Sequence, residues 1–344
     1  MGEYGKPPPG RKPGKKHEPQ PGPQHEPPPG RKPGRRPGPE GFLTNRPFGD
    51  PPGGLPVLGG ILGGGEPSRY SRSPDLWNRL FRGLGIPGRF AAFDLPREDL
   101  VADFARAVLE LPGFLDLTVT NPYKGAAFRC LDRLSVPVEA EAAVMDLGRL
   151  NHLLPDPEGG RAIALNTDGR GMVLALRKRM PLEGSRVLLV GAGDAGASIG
   201  YELVREGAEL FIADIVPEAS RALAAALDRF RRPGQEVSSG GWNMIERIAP
   251  RRDLVVSAVS SSSPLPPEKI ETLPPDTVLA DARYGEAAEF AAAARRVGRP
   301  CVDGREMLVG QFRLAALAMG EIHGRDPARL AALLGEIERS FLGA

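Results

Sequence analysis

Residues 186–203, RVLLVGAGDAGASIGYEL, constrain the fold more than any other stretch of the chain. Val187, Leu188, Leu189 and Val190 are four apolar residues in a row, the pattern of a strand buried on both faces. Gly191-Ala192-Gly193-Asp194-Ala195-Gly196 follows at once, and Ala197, Ile199, Leu203 and Val204 then recur at helical spacing. Strand, G-x-G-x-x-G and helix in that order predict the phosphate-binding turn of a doubly wound α/β domain. Gly191 permits the sharp turn, Gly193 lets backbone approach a pyrophosphate, and Gly196 lets helix and strand pack closely. The helix N-terminus adds unpaired N–H groups and partial positive charge. A second strand, Leu210-Phe211-Ile212-Ala213, ends in Asp214, 23 residues after Gly191, where a carboxylate can accept hydrogen bonds from adenosine ribose hydroxyls. Ile215 follows it, so no arginine stands next to Asp214 to pair with a 2′-phosphate. The pattern therefore favours NAD, with NADP as the alternative. A doubly wound domain with a non-nucleotide turn and a merely solvated Asp214 are the competing readings of the same residues.

The remaining chain bounds the setting. Its 344 residues suggest two domains with additional unstructured sequence. Cys130 and Cys301 make no disulfide framework and lack metal-ligand spacing, which fits a reducing, cytoplasmic compartment. The four histidines, His17, His25, His152 and His323, are too scattered to suggest a metal site, so none is expected. No apolar run approaches the ~18 residues of a membrane span, and the N-terminus has no apolar core of a secretory signal. Residues 1–40 hold 13 of the 37 prolines and carry 9 Lys+Arg against 4 Asp+Glu. That makes this segment +5 and the remainder, 36 against 39, −3. KPPPGRKPGKK at 6–16 is echoed by HEPPPGRKPGRR at 25–36. Such a composition cannot offset chain entropy by apolar burial, so residues 1–54 are expected to be a disordered, partly polyproline II tail and linker. Its basic residues suit a polyanion or an acidic protein, but with only Tyr4 interleaved for base stacking a solubilising role is favoured. Order is expected from about Leu55, with a strand over Val57 to Leu62.

Next comes Ser71-Arg72-Ser73-Pro74, where Ser73 is expected to cap a helix whose first residue is Pro74. Leu76, Trp77, Leu80, Phe81 and Leu84 give that helix an apolar face. Leu100, Phe104, Val108 and Leu111 mark a second helix, ended by Pro112-Gly113, and Phe114 to Val119 a strand. Lys124 lies just past that strand, on the sheet edge where open α/β folds gather ligands, although composition alone reads it as a solvated lysine. Asn166-Thr167-Asp168-Gly169 reads locally as a turn or a helix start.

Together these segments resemble the shikimate dehydrogenase family, including its quinate/shikimate members. The family's serine pair before proline is Tyr70-Ser71-Arg72-Ser73-Pro74, and its V-T-x-P-x-K motif is Val119-Thr120-Asn121-Pro122-Tyr123-Lys124. Its G-x-x-N-T-L segment is Gly148-Arg149-Leu150-Asn151-His152-Leu153, and its N-T-D-G-x-G motif is Asn166-Thr167-Asp168-Gly169-Arg170-Gly171. Its G-x-x-M-L-x-x-Q motif is Gly304-Arg305-Glu306-Met307-Leu308-Val309-Gly310-Gln311. These stand in order over about residues 55–344.

The resemblance implies reversible hydride transfer between a nicotinamide and a small cyclic hydroxy-carboxylate. Lys124 would be the acid/base and Asp168 its close partner. Alcohol oxidation needs a proton acceptor as hydride leaves, a task open to a partly desolvated lysine. Ser71 and Ser73 would hold the carboxylate, and Thr120, Asn151, Asp168 and Gln311 the ring hydroxyls, with Tyr284 nearby. Gly191 to Gly196, Asp214, Ile215, Ser257 and Val259 would line the cofactor. The departures are Tyr70 for the usual His, His152 for Thr, Ser257-Ala258-Val259 for N-A-T, Asp214-Ile215-Val216 for Asn-Arg-Thr, and loss of Pro and Thr after Tyr284.

The expected architecture is a Rossmann cofactor domain, 166–304, and a discontinuous α/β substrate domain, 55–165 completed by helices in 305–344. The last helix is expected from Pro327 to about Leu342, capped by Asp326. Two other functions stay open: a dehydrogenase of a related amino- or hydroxy-cyclohexene carboxylate, and a non-catalytic nucleotide-binding regulator. Monomer and homodimer are both compatible with the sequence.

Overall fold

The computed structural model describes residues 55–260 and 263–343; the expectations for the basic tail over 1–54 lie outside these residues. Two six-stranded sheets form the frame. The first contains β1 (Val57–Gly63), β2 (Arg89–Asp94), β3 (Asp116–Val119), β4 (Val138–Ala140), β5 (His152–Asp156) and β6 (Arg161–Leu165), in the order β2-β1-β3-β5-β6-β4. β5 runs antiparallel to β3 and β6, and the other pairs are parallel. The antiparallel return sets the start of β5 beside the end of β3, which brings Asn151 to the edge where Lys124 follows β3.

The second sheet contains β7 (Arg186–Val190), β8 (Glu209–Asp214), β9 (Val237–Gly241), β10 (Leu254–Ser257), β11 (Val278–Asp281) and β12 (Cys301–Val302). All its pairs are parallel, in the order β12-β11-β10-β7-β8-β9. This is the doubly wound order, and its direction reverses between β7 and β10, where the glycine turn lies. Val187 to Val190 are fully buried. Val187 and Leu189 join one apolar cluster and Leu188 and Val190 another, because successive side chains point to opposite faces.

The helix Gly304–Ile322 and the helix Pro327–Leu342 pack on the first sheet, where Phe312, Met319, Leu330 and Leu334 share a core with Ile61, Leu76, Trp77 and Leu154. Trp77 stacks on Phe90 at 5.3 Å and meets Phe312 edge-on at 5.3 Å. The Asp326 side chain accepts the Arg329 N–H, as its capping pattern predicts. Ser73 departs from expectation. It is the first residue of the helix Ser73–Leu84 and its side chain makes no cap bond. Its own N–H is taken by Ser71 Oγ at 3.2 Å, so the serine two residues earlier satisfies the helix entrance. The second expected helix is a turn of 3₁₀ over Glu98–Leu100 leading into Val101–Leu109. The following strand is shorter than expected and begins at Asp116.

Candidate active site

Lys124 opens the helix Lys124–Arg129 and is buried, 7% exposed, with its Nζ donating to Asp168 Oδ2. Asp168 begins the helix Asp168–Leu176 just beyond β6 and is 3% exposed. An amine and a carboxyl group so far from water need close pairing and further hydrogen bonds to offset their lost hydration. Asn151 supplies the further bonding. Its Nδ2 donates to Thr167 Oγ1 at 3.0 Å, Asp168 Oδ1 at 3.1 Å and Gln311 Oε1 at 3.1 Å, while its Oδ1 accepts the Thr167 N–H at 2.8 Å. Two N–H groups thus serve three acceptors, leaving surplus acceptor capacity that suits the hydroxyl donors of a ligand.

Gln311 reaches this cluster because two helices touch backbone to backbone. A Cβ on Gly171 would lie 2.7 Å from the Gln311 nitrogen, and one on Gly310 would lie 2.6 Å from the Gly171 carbonyl oxygen. Sequence reasoning placed Gln311 in the site but missed Gly310, whose only trace is a small residue in an apolar helix. It also missed Thr167, which ties Asn151 to the start of the Asp168 helix. His152, the neighbour of Asn151, pairs instead with the buried Asp116, Nδ1 to Oδ1 at 2.8 Å.

Ser71, Thr120 and Tyr284 gather at the same edge. The Tyr284 hydroxyl, beyond β11 of the second sheet, accepts the Arg72 N–H at 3.4 Å and lies against Ser71. Burial pushes the Tyr284 phenol above the usual tyrosine range, opposed by the Arg72 N–H. The Tyr70 phenol lies against the Thr120 hydroxyl and in the field of Lys124.

The glycine turn fits a dinucleotide. Gly191 has φ +108°, and a Cβ there would meet the Ala258 carbonyl oxygen at 2.6 Å. A Cβ on Gly196 would sit 1.9 Å from the Gly191 oxygen, so helix and strand pack as closely as the motif predicts. Among the described residues nothing beyond its chain neighbours lies within 4 Å of a Cβ built on Gly193, so this face is open to a phosphate. The helix Asp194–Arg205 starts directly behind, with Ala192 and Ala195 half-buried in the turn. Asp214 Oδ2 accepts the Ala192 N–H at 2.7 Å and Oδ1 the Val216 N–H at 2.8 Å. Each oxygen retains a lone pair for a ribose hydroxyl. Ile215 is 77% exposed beside it. Ser257, at the end of β10, lies in register with Val190, and Val259 packs on the cluster below. One ion pair ties the turn to the first sheet's side: Arg149 Nη1 donates to Asp194 Oδ1 at 2.7 Å.

Among the described residues no group of three or more His, Cys, Asp or Glu side chains is arranged to hold a metal ion. Among them, too, no helix is long and apolar enough to cross a membrane.

The family model for the shikimate dehydrogenase substrate binding domain matches residues 64–144. A shikimate dehydrogenase (NADP(+)) of Thermococcus kodakarensis is 33% identical over 263 residues, covering 75% of this chain and 90% of that protein. The solved shikimate 5-dehydrogenase from Thermus thermophilus, in complex with NADP(H) and shikimate, superposes with a TM-score of 0.62 at 25% identity, covering 82% of this chain and 99% of that one. A quinate dehydrogenase from Corynebacterium glutamicum in complex with NAD gives a TM-score of 0.64 at 25% identity, covering 84% and 99%.

Proposed function

The chain belongs to the shikimate dehydrogenase family, oxidoreductases acting on a hydroxyl group, and from that premise we propose that it interconverts shikimate and 3-dehydroshikimate, or quinate and 3-dehydroquinate, with NAD. The observation that carries the reading is the buried Lys124–Asp168 pair held by Asn151 and Gln311. As the neutral amine, Lys124 Nζ takes the hydroxyl proton as hydride leaves the ring carbon and becomes the ammonium, and it returns that proton in the reverse direction. Asp168 fixes the ammonium and, with Thr120, Asn151 and Gln311, accepts from or donates to ring hydroxyls. Ser71 and Ser73, with Tyr284 behind them, hold the ring carboxylate. A nicotinamide bound beyond the glycine turn supplies or accepts the hydride. In this reading residues 55–165 with 305–344 hold the ring acid and 166–304 the dinucleotide, and the enzyme works in the cytoplasm.

The relative from Thermococcus kodakarensis carries NADP(+) in its name, and this chain is proposed to diverge there. The Asp214 carboxylate at the end of β8 suits ribose hydroxyls and repels a 2′-phosphate, and Ile215 and Val216 offer no compensating cation. The test is initial rates of nicotinamide reduction with shikimate and with quinate, each against NAD and NADP. Turnover of either acid, faster with NAD, is the expected result. Turnover only with NADP overturns the cofactor assignment, and no turnover in any mixture overturns the substrate assignment.

A further inference from the structure

Asp194 is out of place for a phosphate turn. Its carboxylate gains from the positive end of the helix it opens, yet it stands where a doubly charged pyrophosphate must dock. The turn Gly191 to Gly196 contains no basic residue, and the first one along the helix, Arg205, lies at its far end. The compensating charge comes from the other sheet. Arg149 lies between the helix Ala142–Leu147 and β5, and its Nη1 donates to Asp194 Oδ1 at 2.7 Å.

The guanidinium is held from behind as well. Arg149 Nε donates to the Leu147 carbonyl at 3.1 Å across Gly148, whose φ of +64° makes the reversal, and the Arg149 carbonyl accepts from Asn166 Nδ2 at 3.3 Å. These bonds use two of the five guanidinium N–H groups, and the planar fork keeps three for a second oxyanion. The Arg149 and Asp194 side chains are 24% and 27% exposed, dry enough to be weakly screened and open enough to be reached.

We propose that Arg149 is a cofactor-binding residue, a cation that the first sheet's side lends to the pyrophosphate, and that Asp194 is the positioning residue that holds it over the turn. This rests on the dinucleotide reading above.

The experiment is NADH titration of the full chain by fluorescence, in wild type, R149Q, D194N and the double variant. R149Q is expected to weaken NADH about tenfold, the scale of one charge-assisted hydrogen bond. D194N, which removes the like charge but keeps an amide oxygen for the guanidinium, is expected to hold or tighten binding, and the double variant to recover the repulsive part of the R149Q loss but not the part that belongs to the lost hydrogen bond. Adenosine, used as a competitor without phosphates, is expected to bind R149Q and wild type alike. Were the pair only a brace between the two halves, R149Q and D194N would weaken NADH alike with no recovery in the double variant, and that result overturns the proposal. So does an equal R149Q loss for adenosine. Wild type that binds neither NADH nor NADPH removes the dinucleotide reading itself, whereas wild-type binding with an unchanged R149Q removes only this inference.

Discussion

Lys124 is a residue whose chemistry the surrounding fold decides. Composition alone reads it as a solvated lysine, and only its place after a strand hints otherwise; the end of β3 and the return of β5 bury it against Asp168. Lys124→Ala is expected to cut kcat by about 10²-fold or more, the scale of acid/base catalysis, with the KM for the ring acid changed far less. An unchanged kcat would remove the assigned role. The same variant strands the Asp168 carboxylate, so a fall in Tm accompanies it, and the rate is measured below that transition. Asp214 makes a second residue-scale test. Its backbone bonds to Ala192 and Val216 shape the turn for either cofactor, so Asp214→Ala weakens both. The ribose contact and the repulsion of a 2′-phosphate act on one only, so the Kd for NAD should rise several-fold more than that for NADP, read by titration. Equal rises would count against the ribose contact. Ser73 shows the limit of residue-level reading. A serine before proline has the pattern of a cap, yet Ser71 took the available N–H because a turn places its Oγ 3.2 Å away, and turn geometry is not written in residue type.

At the scale of elements, β7, the glycine turn and the following helix were legible because each property they need is local. Apolar continuity marks burial on both faces, and the glycines mark backbone that a Cβ would block. The helix Gly304–Ile322 was legible as one of the helices expected over 305–344, and the last helix was legible from its start at Asp326 and Pro327 to about Leu342. What stayed hidden was the crossing that aims Gln311. Close approach belongs to the pair Gly171 and Gly310, not to either one, and no spacing rule joins residues so far apart in the chain. Gly310→Val tests this crossing. Its branched side chain would meet the Gly171 backbone, which cannot yield as a flexible side chain does, so the helices must separate. Stability should drop by about 1–3 kcal/mol, the usual cost of overpacking. The KM for the ring acid should rise as Gln311 leaves Asn151, while the Kd for NADH stays near wild type. A KM that holds while Tm falls would show that the crossing braces the fold without placing Gln311.

At the scale of the whole fold, among the described residues, the helix Asp168–Leu176 packs against the helix Asp194–Arg205, and that seam confines charge. Glu141 and Glu202 both face Arg170 there. Burial pushes the Glu202 carboxyl above its ordinary value, Glu141 and Glu206 push the same way, and Arg170 and Arg205 pull it back without cancelling the rise. Glu141, Asp281 and Glu306 are also raised, each by burial first. A carboxyl raised on folding binds its proton more tightly in the folded chain than in the unfolded one. Stability therefore falls as pH climbs from the ordinary carboxylate value through the raised one, and the cost is complete above it. Asp75 and Asp253 act in the opposite sense. Burial and arginine partners compete at Asp75, and at Asp253 the Arg186 hydrogen bond leads; both carboxyls end below the ordinary range. Their contribution is already complete above the ordinary value and is lost only as pH falls through the lowered one. The window just above the ordinary carboxylate value therefore belongs to the raised group, and Glu202 isolates it because its neutral form resembles glutamine. Glu202→Gln should match wild type in Tm near pH 4.5 and exceed it by about 2 °C near pH 8, where only wild type carries the confined charge. Melting curves across that range read the difference directly. A gap that does not change with pH would mean that packing rather than ionisation distinguishes the two, and a lower Tm for the variant at pH 8 would mean that Arg170 and Arg205 outweigh burial at this seam.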